Sequence, residues 1–208
     1  MNEEFDRMVD IMDRVQKRIF DLLVSIGLIL LFFPVFVIVF ILVWLDLKQV
    51  LFKQERIGLR GTNFYIWKFR TRRSVSGISE AEVDFHNERL TEIGRVLRRF
   101  KLDELPQLFQ VLIGQMSIIG PRPELSEYVI YHKELREKVL SVKPGLIDLA
   151  AVKYFDEDRM LQIQNDPKRF YTEVMLEDKM QMSLRTIKQS KFNRSLILLK
   201  YILKRKYH

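Results

Sequence analysis

Between Asp21 and Asp46 runs Leu22–Leu45, LLVSIGLILLFFPVFVIVFILVWL, without a charged side chain. As one helix, about 24 residues would be roughly 36 Å long, enough to cross a hydrocarbon core of about 30 Å. The run is apolar all round, so it is not the buried stripe of a soluble helix. It is long, starts late and lacks a small-residue cleavage site, so a cleaved signal peptide fits poorly and the run is read as retained. Pro34 stands near its centre, where it removes a helical hydrogen bond and crowds the preceding turn, which predicts a bend or break. Each half is then roughly 17 Å, about half the hydrocarbon thickness. Both flanks are basic, with Arg14, Lys17 and Arg18 before and Lys48, Lys53 and Arg56 after. The positive-inside rule would keep both ends in the cytoplasm, as a hairpin that dips in and returns does. Proline-kinked spanning helices are common, so the residues alone leave re-entrant and spanning topologies both open.

Working outward, FDRMVDIMDRVQKRIFD (Phe5–Asp21) spaces Phe5, Met8, Met12, Val15 and Ile19 among charges. This pattern predicts an amphipathic helix at the membrane interface over residues 1–20, with an ordinary core-facing helix as the plainer alternative. After the apolar segment (21–46), the rest of the chain (47–208) reads as one domain. Val50–Arg70, rich in β-formers around Gly58 and Gly61, predicts a hairpin from which Arg56, Lys68 and Arg70 project. Ser74–Asn87 reads as a loop, Thr91–Phe100 as a helix bearing Arg95 and Arg98, and Phe109–Gly114 as the end of an apolar helix. A helix is expected over Glu124–Val142, stopped by KPG, and the remainder is largely helical. Near its end, Ile187, Phe192, Leu196, Leu199 and Leu203 alternate with cations in a basic amphipathic pattern that suits anionic lipid or, as is commoner, a solvated helix packed by one face. The fold class is therefore α+β, mainly helical, with a small β-hairpin and a membrane-embedded N-terminal segment.

Composition narrows the chemistry. The chain has 208 residues, with 35 Lys+Arg against 27 Asp+Glu, a formal net charge of +8 that suits an anionic partner. With no cysteine, disulfides, thiolate catalysis and zinc-thiolate sites are excluded. His86, His132 and His208 are scattered, without metal-ligand spacing. P-loop, Rossmann and nucleophile-elbow fingerprints do not occur. Cations are interleaved with acids and no nucleic-acid-binding motif is present, so no nucleic-acid partner is expected.

The stretch KLDELPQL (Lys101–Leu108) places Asp103 and Glu104 together just before Pro106 and just after RVLRRF. On spacing alone the favoured reading is a helix start, with Asp103 as N-cap and Glu104 in the first turn. The chemical reading is a catalytic pair. One carboxylate can attack phosphorus while its neighbour binds Mg²⁺, with arginines around the phosphoryl oxygens. Arg122 lies between Pro121 and Pro123, which restrict its backbone; taken alone this reads first as a proline-braced surface turn, and beside the acid pair as a guanidinium preset for phosphate. A non-catalytic, membrane-anchored module binding lipid or protein is the rival from another class.

KRIFD, the central Pro34, FKQERIGLRGTNFYIWKFRT, IGRVLRRFKLDELPQLFQVLIGQMSIIGPRPE and KPGL together, in this order over Lys17 to about Gly145, resemble the bacterial sugar transferase family. These are the monotopic polyprenyl-phosphate phosphoglycosyl transferases, and the chain looks like their minimal catalytic form. The resemblance implies transfer of a phosphosugar from a UDP-sugar to undecaprenyl phosphate, with release of UMP and a need for Mg²⁺, at the start of a glycan or polysaccharide pathway. It implies Asp103 as nucleophile of a covalent aspartyl-phosphosugar and Glu104 as metal ligand. It implies substrate contacts from Lys68, Arg70 and Arg122, with Arg95 and Arg98 as further candidates for phosphate or helix-packing contacts. It also implies a re-entrant helix broken at Pro34, both ends on the cytoplasmic face of the bacterial inner membrane. A homodimer is left open. The chain departs from the family's usual motifs at Phe33, where a serine is frequent, at Arg72, and at Ile147-Asp148.

Overall fold

The computed structural model describes residues 2–73, 90–188, 196–197 and 200–201. The expected loop over Ser74–Asn87 lies outside them, as do Phe192, Leu199 and Leu203 of the basic C-terminal pattern. The observed architecture is mainly helical, with two small sheets. Helix α1 (Asn2–Leu47) contains Pro34. The hairpin strands are β1 (Leu51–Ile57) and β2 (Asn63–Phe69). Then come α2 (Glu92–Arg99), α3 (Gln107–Leu112), β3 (Ser117–Ile119), α4 (Lys133–Val139) and β4 (Gly145–Ile147). Short helices α5 (Leu149–Lys153), α6 (Glu157–Gln162) and α7 (Pro167–Phe170) lead through a π-helical turn, Tyr171–Met175, into α8 (Leu176–Lys188).

The expected interfacial helix and both halves of the apolar run form one helix that continues through Pro34. A proline forfeits one rung of the ladder, and its φ suits a helix, so in apolar surroundings the helical bonds on either side persist. By length and composition α1 could cross a membrane. Its central side chains are bare, with Leu30 and Leu31 each 70% exposed and Phe33 60%. Both halves dock on the same body. Phe20, Val24 and Leu28 pack with Leu108, Val111, Met116 and Ile118. Beyond the proline, Val39 and Val43 are buried with Phe69 and Leu97, while the Phe36 ring bridges to Phe69 and Phe109 at 6.0 and 5.5 Å.

The KRIFD segment is the polar clamp of this docking. Arg18 donates to the Val111 and Leu112 carbonyls at 2.6 and 2.5 Å at the end of α3, where the Val111 carbonyl also accepts the Gly114 N–H at 3.1 Å. Buried Asp21 accepts from the Ser117 hydroxyl at 3.0 Å and the Ile118 N–H at 2.9 Å. Removing that carboxylate orphans a buried donor. Asp21→Ala should therefore destabilise the protein by about 1–3 kcal/mol in detergent thermal melts. An unchanged melting temperature would show that the clamp contributes nothing.

The hairpin pairs in antiparallel register from Leu51↔Phe69 to Ile57↔Asn63, as its β-rich sequence predicts. Gly61, at φ +80, supplies the left-handed turn residue. The free edge of β2 is partly filled by a side chain. Gln110, fully buried on α3, accepts from the Trp67 N–H at 2.8 Å and donates to the Tyr65 carbonyl at 2.7 Å. Lys68 is thereby held in line with the helix that follows the acid pair. β3 and β4 pair in parallel, Ser117↔Gly145 and Ile119↔Ile147. A Cβ on Gly145 would lie 2.2 Å from the Gly120 nitrogen, so only glycine permits this approach. It lets Gly145 donate to the Pro121 carbonyl at 2.7 Å, fixing one end of the proline-arginine-proline loop.

Two expectations are corrected here. The helix expected over Glu124–Val142 is a 3-10 turn, Ser126–Ile130, followed by α4. His132, left-handed at φ 51, separates them. Asp103 is not the N-cap of a regular helix. It lies inside a 3-10 turn, Leu102–Glu104, entered through Lys101 at φ 51, and α3 starts three residues later behind Pro106.

Candidate active site

Leu102 and Leu105 pack into the cluster formed by Val43, Phe69 and Leu97. The residues between them are thus turned to the other side, into an open, polar cleft. Asp103 is 5% and Glu104 9% exposed. Lys101 holds a left-handed conformation that costs a non-glycine residue about 1–3 kcal/mol, a strain that tends to collect at functional sites. Its ammonium reaches 5.8 Å from the Phe155 ring centroid across the cleft rim.

Cations converge on the acid pair from separate elements. Arg122 meets Glu104 with a fork, one nitrogen at 3.0 Å from Oε2 and the other on Oε1. Lys68 of β2 lies 3.5 Å from Glu104 Oε1. Arg98, at the end of α2, lines the cleft and donates to Thr71 Oγ1 at 3.2 Å. Arg56 of β1 also lines it and donates to the Pro123 carbonyl at 3.3 Å, bracing the loop that presents Arg122.

The two acids meet opposite fates. Burial alone would raise Glu104, but the Arg122 and Lys68 charges and the Arg122 hydrogen bonds outweigh it and hold the carboxyl well below its ordinary range. Burial raises Asp103, the Glu104 charge adds to the effect, and together they overcome Lys68, Arg98 and Lys101 to bring it to about 6. Asp103 Oδ1 is buried without a hydrogen-bond partner. Burial lowers Lys68, with Glu104 opposing. One carboxylate is locked in place and charged; the other is held in waiting, desolvated, with an unused oxygen.

Of the residues singled out from sequence, Asp103, Glu104, Lys68, Arg98 and Arg122 line this one cleft. Arg70 instead lies over the Phe52 ring, 5.7 Å from its centroid. Arg95 is 59% exposed on α2, paired with Glu92. Pro34 is in α1, away from the cleft lining. The departures have local structural roles: Arg72 is buried and bridges Leu90, and Ile147 pairs with Ile119. Buried Asp148 caps α5, accepting from the Ala151 N–H at 2.7 Å and from Ser183 Oγ at 2.6 Å.

The cleft also contains residues that sequence reasoning missed: Lys101, Glu124, Glu157, Tyr171 and Lys179. Lys101 and Glu124 were within reach, since one opens KLDELPQL and the other closes GPRPE. Lys179 carried no local signal, because its partners come from distant segments.

The pattern that defines the bacterial sugar transferases matches residues 12–200 of the chain. The chain belongs to the bacterial sugar transferase family. Among its relatives, it is 34% identical over 153 residues to a UDP-glucose:undecaprenyl-phosphate glucose-1-phosphate transferase of Klebsiella pneumoniae, a match covering 71% of this chain and 33% of that protein. It is 39% identical over 145 residues to the uncharacterized sugar transferase EpsL of Bacillus subtilis, covering 66% and 68% respectively. It is 43% identical over 116 residues to the exopolysaccharide production protein PSS of Rhizobium leguminosarum, covering 53% and 57%. The chain thus spans about a third of the length of the Klebsiella family member.

Proposed function

We propose that this sugar transferase moves a phosphosugar from a UDP-sugar to a polyprenyl phosphate, undecaprenyl phosphate in bacteria, at the start of a glycan pathway. The observation that carries the reading is the pairing of an unpartnered, buried Asp103 oxygen with a locked Glu104 in a cation-rimmed cleft. An Asp103 oxygen attacks the β-phosphorus of the UDP-sugar. The Asp103–phosphorus bond forms, the bond to the bridging oxygen breaks, and UMP leaves with that oxygen. The lipid phosphate then attacks the same phosphorus, the aspartyl bond breaks, and the carboxylate is regenerated. Arg122, Lys68 and Arg98 hold the equatorial oxygens and offset their charge.

Mg²⁺ fits this donor set. It takes one or two carboxylates and completes its shell with substrate phosphates and water, so it does not need a three-acid cage. Among the described residues no three acidic or histidine side chains converge. Glu104, ionised beside the unpartnered Asp103 oxygen, would hold the ion. When bound, Mg²⁺ neutralises phosphate charge that develops during transfer. The deciding assay is UMP release from UDP-sugars by the detergent-solubilised chain with Mg²⁺ and undecaprenyl phosphate. No release from any UDP-sugar would overturn the reading.

The same proposal includes a re-entrant α1 whose axis turns at Pro34 while its helical bonding continues, with the cleft on the cytoplasmic face of the inner membrane. A body on one side of a bilayer cannot cover both flanks of a spanning helix, yet Phe20 and Val43 both pack on this one. The two basic flanks support the same side for each. Single cysteines introduced at Met12 and Gln49 should both resist a membrane-impermeant thiol reagent in intact cells and both react after lysis. Labelling of just one in intact cells would refute the hairpin.

A further inference from the structure

A second polar cluster lines the cleft, apart from the phosphate-handling cations. Lys179, buried on α8, reaches both oxygens of Glu157 at 3.2 Å and Glu124 Oε1 at 3.3 Å. It also donates to the Tyr171 hydroxyl at 2.8 Å, which in turn donates to Glu124 Oε2 at 2.6 Å. An ammonium has three N–H bonds, and these partners use them all. The Tyr171 proton is used as well. What remains available is lone pairs on two carboxylates, whose side chains are 18% and 25% exposed.

This cluster therefore offers acceptors without donors and carries one more negative charge than positive. With its ammonium protons all taken up, the cluster presents no donor to a phosphate, which is better served by Arg122, Lys68 and Arg98. Uracil, with two carbonyl acceptors and one N–H, is a poor match. A polyhydroxylated ring supplies donors at several positions and matches well. Tyr154 and Phe155 line the same cleft as largely buried aromatic edges and give its wall apolar character beside the two carboxylates. The π-helical turn beginning at Tyr171 is a rare irregularity that recurs at functional sites.

We propose that Glu124 and Glu157, positioned by Lys179 and Tyr171, form the subsite that reads the hydroxyl groups of the donor's sugar. This rests on the transferase reading for the identity of the donor. In the cleft, the sugar hydroxyls donate to the two carboxylates while the diphosphate stays with Arg122 and Lys68. Lys179 is a positioning residue.

The test measures binding to the full chain in detergent by calorimetry, with UDP-glucose, UDP-galactose, UDP-N-acetylglucosamine and UDP as probes. Glu157→Gln should weaken the best-bound UDP-sugar at least tenfold and change UDP affinity less than twofold. Tyr171→Phe, which frees Glu124 without altering its charge, should weaken the same UDP-sugar several-fold and serves if Glu157→Gln does not fold. Equal losses on sugar nucleotide and UDP, no loss on either, or no measurable binding of any UDP-sugar would overturn the subsite. UMP release with undecaprenyl phosphate is run in parallel. Release with no sugar-selective loss refutes the subsite and leaves the transferase standing; sugar-selective loss without release does the reverse.

Discussion

Asp103→Asn should abolish UMP release while making the protein more stable at neutral pH. The first effect follows from the proposed mechanism: an amide cannot supply the anionic oxygen that this mechanism directs at phosphorus, and losing a nucleophile costs on the order of 10³-fold or more. The second follows from linkage. Asp103 has its pKa raised to about 6, chiefly by burial and then by the Glu104 charge. A raised carboxyl binds more protons folded than unfolded between its two pKa values, so stability falls as pH rises through that window. At one pKa unit per about 1.4 kcal/mol, the wild type forgoes on the order of 3 kcal/mol above pH 6. The neutral variant should recover this, melting roughly 5–10 °C higher at pH 8 in EDTA. The advantage should vanish near pH 4, where the wild-type carboxyl is protonated as well. Wild-type turnover in the variant would exclude Asp103 as nucleophile; a variant less stable at pH 8 would show that the carboxylate is satisfied, not strained.

That contrast bears on what the sequence could reveal. The hairpin was legible because Val50–Arg70 combines β-formers with Gly58 and Gly61, and the strands fall within it. The long apolar helix was legible from its unbroken apolarity, but its continuity through Pro34 was not, since both halves are supported by contacts with residues far along the chain. β3 and β4 have three residues each, too short for a two-residue period to register. Their pairing depends instead on the bare approach of Gly120 and Gly145. The acid pair was visible as a pair, whereas its asymmetry was not. Which acid is locked and which is left waiting depends on Lys68 and Arg122, 36 residues before and 18 residues after Glu104.

The asymmetry predicts the opposite behaviour when the lock is removed. Arg122→Ala should destabilise the protein by roughly 3–5 kcal/mol, the usual cost of breaking a buried pair and leaving one charge behind. Arg122 is 29% exposed and Glu104 10%, so the lower end applies. Glu104 has a depressed carboxyl, so its contribution is present above its unfolded pKa and lost as pH falls through the lower folded value. The gap between wild type and Arg122→Ala should therefore be full at pH 7 and close under strong acid, whereas the Asp103→Asn effect changes between about 4 and 6. Arg122→Lys should restore part of the stability but little activity, since an ammonium keeps the charge and loses the fork. Thermal melts at pH 3, 5 and 7 with parallel UMP-release assays resolve these. A lysine variant with wild-type turnover would mean that Arg122 acts by charge alone. Full stability in the alanine variant would mean that Lys68 suffices to hold Glu104, and that the proline-braced loop serves the substrate and not the carboxylate.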